Sequence, residues 1–91
     1  MNNELRKTIL SFLAERYPAA YSAQAITQRI NRSGMLDKAT TNAEALAELR
    51  LLASRFQHVV LLVDDDGDQS WSATPAGVSS WQLDGALSIG G

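Results

Sequence analysis

The strongest constraint on the fold is a single change of hydrophobic period between residues 44 and 74. Up to Phe56, apolar residues recur every three or four positions, which is the spacing of one face of a helix. Residues 59–63 then read VVLLV, a β-branched and leucine-rich run that is typical of a strand. The acidic segment DDDGD follows, and its Asp-Gly pair favours a tight reverse turn. Residues 69–74 alternate between polar and apolar, which predicts a second strand paired with the first.

Two further helical patterns precede this segment. The first has apolar residues at the positions of one helix face, and Pro18 disfavours helical backbone in the residue before it. The second begins after Ser22, a favoured N-cap residue, and ends before Gly34, which suits the left-handed position past a helix end. The helix that leads into the strand begins at the capping box Thr41-Asn-Ala-Glu44.

The apolar positions of these patterns define a predicted core. It consists of Leu5, Ile9, Phe12, Leu13, Ile26, Ile30, Leu46, Leu49, Leu52, Phe56, Val59, Leu61 and Trp71. On the third helix this choice leaves Glu44, Ala47, Glu48 and Arg50 to solvent or to a partner.

The order of the elements predicts an α+β domain. Three N-terminal helices lead to a two-stranded hairpin near residues 58–74, and Thr74-Pro75 can open a short last helix. A chain of 91 residues suits one domain with one core, which we place at residues 1–84. Residues 85–91 are small and glycine-rich, so we expect a flexible C-terminal tail there.

Several kinds of site are not expected from the residues present. The chain has no cysteine, which excludes disulfides, thiolate zinc sites and a cysteine nucleophile, and its single His58 disfavours a histidine metal site. A calcium loop starting at Asp64 would need glycine at its sixth position and an acid at its twelfth, where the chain has Gln69 and Pro75. The acidic segment is therefore interpreted as a solvated turn. No nucleophile elbow or cofactor motif occurs, so neither an enzyme nor a bound cofactor or metal is predicted.

The N-terminal segment MNNELRK is not followed by a long apolar run, so no signal peptide is predicted. No stretch approaches the ~18 apolar residues of a membrane span. We therefore expect a cytoplasmic protein that does not contact a membrane.

The charges divide the chain into two unequal parts. All eight basic residues lie in residues 1–55 with five acids, which gives a net charge of +3. Residues 56–91 contain five acids and no base, which gives −5. A basic part favours nucleic acid as a partner, whereas an acidic part disfavours it.

The combined segment LAELRLLASRF…HVVLLV…GDQSWSATPAG resembles winged-helix regulators of the MarR, PadR and ArsR kind. In those families a recognition helix leads into a hairpin, and the second strand often ends in an aromatic-x-Leu-Thr-x-x-Gly pattern. Here the pattern reads Trp71-Ser72-Ala73-Thr74-Pro75-Ala76-Gly77, with alanine in place of leucine. The resemblance covers residues 4–81 and extends to small winged-helix proteins of phage and prophage. It implies a winged helix that binds double-stranded DNA as a small transcription regulator.

The implied DNA surface surrounds the third helix, because that helix would dock in the major groove. Basic side chains suit phosphates and asparagine can read adenine. The predicted DNA-binding residues are Arg29, Arg32, Lys38, Thr40, Thr41, Asn42 and Arg50. The turn between the strands departs from the families, because its aspartates would repel phosphates where a wing often has Arg or Lys.

The alternative is a winged helix that contacts another protein through its acidic wing or outer sheet face. The partner-binding residues would then be Val60, Leu62, Asp65 and Asp66.

Both faces of the first strand are apolar, although a half-exposed hairpin should have one polar face. Either the C-terminal segment with Val78, Trp81 and Leu83 covers the second face, or a second subunit does. We predict a homodimer.

Overall fold

The computed structural model describes residues 3–90, with side chains through Leu83. Its elements, in chain order, are α1 (Asn3–Glu15), α2 (Ala23–Ser33), α3 (Asn42–Leu51), β1 (Val59–Val63), β2 (Gln69–Ala73) and α4 (Pro75–Gly90). A π-helical turn, Leu52–Phe56, continues α3 directly. The predicted α+β class and the order of helices and hairpin are confirmed, and the arrangement is compatible with a winged-helix layout.

The last helix differs in length from the prediction, because α4 spans 16 residues rather than a short segment. The predicted tail, residues 85–91, lies outside the residues whose side chains are described, and it stays a prediction. No helix within residues 3–90 is long and apolar enough to cross a membrane.

The helix ends follow the predicted chemistry. Ser22 accepts a hydrogen bond from the backbone N–H of Ala25 at 3.1 Å, and Gly34 ends α2 with φ of 72°. The Thr41 hydroxyl accepts from the N–H of Glu44 at 3.2 Å and lies 3.2 Å from the Glu44 carboxylate. These contacts satisfy backbone groups that a helix leaves without partners at its ends.

The core is formed by α1, α2, α3 and the inner side of the hairpin. Ten of the thirteen predicted residues are buried, namely Leu5, Ile9, Phe12, Leu13, Ile26, Ile30, Leu49, Leu52, Val59 and Trp71. The prediction was wrong for Phe56 and Leu61, which are 40% and 38% exposed, and Leu46 is only partly buried.

The π-helical turn explains the exposure of Phe56. A π-helix has more residues per turn than an α-helix, so side chains after Leu52 no longer follow the α-helical stripe. Upstream of it, the buried stripe includes Ala45 and Glu48 rather than Leu46. Glu48, which was expected to face solvent or a partner, is only 6% exposed, and its carboxylate lies 3.9 Å from the Arg6 guanidinium.

The two strands form an antiparallel hairpin that is extended by a third segment. Residues 59–63 pair with residues 73–69 in strict register, which places Leu61 opposite Trp71. Tyr21 bridges the other edge of β2, because Tyr21 and Trp71 exchange both of their backbone hydrogen bonds, at 3.0 and 2.7 Å. The segment between α1 and α2 is thereby tied to β2, whereas no residue within 3–90 pairs with the outer edge of β1.

Candidate nucleic-acid interface

The connection from α2 to α3 is held by one asparagine. The Asn31 side chain donates to the carbonyl of Thr40 at 2.9 Å and accepts from the Thr40 N–H at 2.8 Å. This reciprocal pair satisfies both backbone groups of the residue before the N-cap Thr41. It therefore fixes the position of the N-terminus of α3 relative to α2.

The predicted contacts at the start of α3 differ in their accessibility. Thr41 and Asn42 are exposed, as are Arg50 further along the helix and Lys38 in the preceding loop. Thr40 is only 8% exposed, so its side chain is unsuited to direct DNA contact. We correct its role to that of a backbone anchor for Asn31.

Three arginines line one surface depression formed by α2 and the turn after α1. Arg16, Arg29, Arg32 and Ser33 surround a volume of about 380 Å³. Arg16 follows α1, whereas the others belong to α2, so the packing of the two helices places these three arginines around one depression. Arginine side chains that line one depression suit a phosphate or another oxyanion. We name Arg16, Arg29 and Arg32 the arginine cluster.

Two members of the arginine cluster are oriented by aromatic rings. The Arg16 guanidinium lies 4.0 Å from the centroid of the Phe12 ring and donates to the Phe12 carbonyl at 3.0 Å. The Arg29 guanidinium lies 5.5 Å from the centroid of Tyr21. The two rings contact each other edge to face at 5.2 Å between centroids. Such contacts restrict the side chains while leaving donors for an anion.

The predicted cations remain outside ion pairs in the described part of the chain. There, the ion pairs are Arg6 with Glu48 at 3.9 Å and Arg16 with the exposed Glu15 at 3.8 Å. Arg29, Arg32, Lys38 and Arg50 form none among residues 3–83. Their charges are therefore available to a partner.

Lys38 has acidic surroundings, unlike the arginine cluster. It lines a depression of about 420 Å³ together with Glu4, Asp37 and Glu44. These carboxylates reduce the positive potential near the start of α3. The arginine cluster is consequently the stronger site for a phosphate.

The tip of the hairpin is acidic and exposed. Carboxylate oxygens of Asp64, Asp66 and Asp68 lie within 4.8 Å of one another. The Asp64 carboxylate accepts from the N–H groups of Asp66 and Asp68, each at 2.9 Å, so turn formation accounts for its position. Asp65 is also exposed. This tip would repel a phosphate backbone.

Sequence reasoning placed Arg29 and Arg32 in the site but omitted Arg16. The signal was present as a basic residue three positions past Leu13, the last residue of the predicted stripe, and next to Tyr17-Pro18. Its proximity to α2 depends on the turn that follows, which periodicity does not specify. No protein-family model, curated protein or solved structure matches this chain.

Proposed function

We propose that this chain is a winged-helix protein that binds double-stranded DNA and acts as a small transcription regulator rather than as an enzyme. The observation that carries the proposal is the arginine cluster, in which three arginines from α2 and from the turn after α1 line one depression. Phosphate contacts supply most of the affinity of DNA-binding proteins, and arginine suits them geometrically.

In this proposal the arginine cluster binds the phosphate backbone and α3 enters the major groove. Asn42 and Arg50, both exposed on α3, are the candidates for reading base edges. Asn31 contributes indirectly, because it fixes the backbone that leads into Thr41. The acidic hairpin tip faces away from the DNA, since four aspartates would oppose binding.

The experiment that tests the proposal is titration of fluorescent duplex DNA at several salt concentrations. We expect Arg29→Ala with Arg32→Ala to weaken binding on all sequences and to make the salt dependence shallower by about one unit per lost phosphate contact. Lys7→Ala is the matched control, because Lys7 is an exposed base on α1 outside the proposed surface. Equal loss in the control and in the arginine variants would contradict the proposed docking.

A second function, protein contact through the hairpin, is favoured by one observation. Val60, Leu61, Leu62 and Val63 are all exposed although they form an apolar run. Consecutive exposed apolar residues on a strand commonly mark a surface that pairs with another chain. Binding of a protein by the Arg29→Ala, Arg32→Ala variant, together with loss of DNA binding, would separate the two functions.

A further inference from the structure

The open edge of β1 carries backbone groups without partners in the described part of the chain. The backbone N–H and C=O groups of Trp71 both bond to Tyr21, so these two groups point away from β1. Because the backbone N–H and C=O groups of successive strand residues point to opposite edges, those of Ser70 and Ser72 bond to β1 instead. In the observed register their partners are Leu62 and Val60. The N–H and C=O groups of the intervening residues, Val59, Leu61 and Val63, therefore point to the open edge.

The described C-terminal residues do not cover this strand. Val78 and Trp81 pack against the core, and Leu83 is exposed. Val60 and Leu62 remain 41% and 45% exposed on the outer face of the hairpin. The sequence offered two candidates for covering β1, the C-terminal segment and a second subunit. The C-terminal segment through Leu83 does not cover it.

We propose that β1 pairs antiparallel with β1 of a second copy of this chain, on a two-fold axis through Leu61. In that arrangement Leu61 faces itself, and Val59 faces Val63 of the other copy. These are the residues whose backbone groups point outward, so each facing pair exchanges two hydrogen bonds. The same surface serves both copies, as a closed symmetric dimer requires. The pairing goes beyond DNA binding and does not depend on it.

The side chains of β1 suit pairing with the same strand running in the opposite direction. Within β1 the outer row is Val60 and Leu62, because alternate residues share one face, and His58 and Asp64 directly precede and follow the strand. Reversal places Val60 beside Leu62 of the second copy and His58 beside Asp64 of the second copy. Apolar pairs thus lie at the centre and an imidazole–carboxylate pair lies at each end. On the inner face every facing residue is apolar.

The charges at the two ends of β1 also favour a second copy of the chain as the partner. The start of β1 is flanked by cationic side chains, since Lys7, together with Arg6 that pairs with Glu48, lines a depression of about 200 Å³ with His58 and Phe56. The opposite end of β1 carries Asp64–Asp68. Antiparallel pairing brings the acidic end of each copy to the basic end of the other, whereas parallel pairing would bring the acidic ends together. Charge complementarity therefore favours a second copy in this orientation.

The absence of native cysteine permits a direct test of the register. In the proposed dimer the two Leu61 Cα atoms are about 5.5 Å apart, within the range of a disulfide. The two Val63 Cα atoms are about 14 Å apart along the strands, too far for one. We expect mild oxidation to cross-link Leu61→Cys at least about ten times more than Val63→Cys, although Val63 is the more exposed residue. Equal cross-linking would overturn the register.

Sedimentation of the wild type and of Leu61→Pro at micromolar concentration tests the pairing itself. Proline at Leu61 removes an N–H that points to the open edge, so it should abolish the dimer without breaking the hairpin. Leu61→Ala keeps that N–H and is the control. We expect a dimeric wild type, a dimeric alanine variant and a monomeric proline variant with an unchanged circular dichroism spectrum. A monomeric wild type would overturn the proposal. If the proline variant unfolds, the cross-linking of the Leu61→Cys and Val63→Cys variants tests the pairing instead.

Discussion

Gly77 in the first turns of α4 lies directly against the backbone of His58. A Cβ atom at Gly77 would be 2.1 Å from the His58 carbonyl oxygen. No real contact is that short, so α4 reaches this position because residue 77 has no side chain. The carbonyl is itself fixed by the Thr74 N–H, which donates to it at 2.9 Å. The glycine of the Thr-x-x-Gly pattern is therefore a packing requirement between α4 and the start of β1.

Gly77→Ala should destabilise the fold, although the same substitution usually stabilises a helix. The steric overlap is with backbone, which cannot rotate away, and overpacking of this kind costs about 1–3 kcal/mol. Chemical denaturation should show the loss. Ser79→Ala, at an exposed position of the same helix, should change stability by less than about 0.5 kcal/mol. A stabilised Gly77→Ala variant would show that α4 does not pack in this way.

Thr74 links three elements with one side chain. Its hydroxyl donates to the Gln57 carbonyl at 2.7 Å and accepts from the Gly77 N–H at 3.0 Å. Gln57 has φ of 55° and ends the π-helical turn. Thr74→Val keeps the shape but removes both bonds, and we expect a loss of about 0.5–2 kcal/mol, in the range of lost helix caps. Thr74→Ser should recover most of it in the same denaturation assay.

The fold was predictable where local chemistry decides it. Ser22, Gly34 and Thr41 place helix ends by capping, and the Asp-Gly turn sets the hairpin. The π-helical turn was not predictable, because no residue type in Leu52–Phe56 signals it. It follows from the need to join α3 to β1 while Leu52 stays in the core. Because of this π-helical connection, Phe56 lies at the surface, where its ring stacks on His58 at 5.6 Å between centroids.

Leu49 and Phe56, both predicted as core, should therefore respond differently to truncation. Leu49 is fully buried, and Leu49→Ala should cost about 2–5 kcal/mol through lost burial and a cavity. Phe56→Ala should cost less than about 1.5 kcal/mol, because the ring already contacts water and loses mainly its stacking partners. Thermal melts of the two variants give the comparison. Similar losses would mean that Phe56 is packed as deeply as Leu49.

Arg6 should matter to stability more than its position on the edge of α1 suggests. Its guanidinium lies 3.9 Å from the buried Glu48 carboxylate and 5.2 Å from the centroid of the Phe56 ring. Arg6→Ala removes a cation beside a buried acid, which should cost about 1–3 kcal/mol. Lys7→Ala removes a neighbouring exposed cation and should be near neutral. The difference between the two free energies of unfolding is the quantity to measure.

Most of the charged residues of the candidate site were predictable from the sequence, but their positions relative to one another were not. Basic residues of α2 were identifiable from composition and helical phase. The burial of Thr40 was not predictable, because the Asn31 side chain that binds its backbone lies nine residues earlier in the chain. The Arg16 position depends in turn on how α1 packs against α2. Sequence patterns thus identified the charged residues, and tertiary packing selected which of them converge.

The hairpin tip should oppose DNA binding through its charge. Asp65→Asn with Asp66→Asn removes two exposed carboxylates and leaves the Asp64 carboxylate, which holds the turn, in place. If the arginine cluster and α3 face the DNA, the double variant should bind equally well or more tightly. The gain should shrink as salt is raised, because the effect is long-range and screened over about 8 Å at physiological ionic strength. Anisotropy titrations at low and high salt measure both quantities, with circular dichroism as the check on folding. Weaker binding by a folded double variant would place the tip on the DNA and contradict the proposed docking.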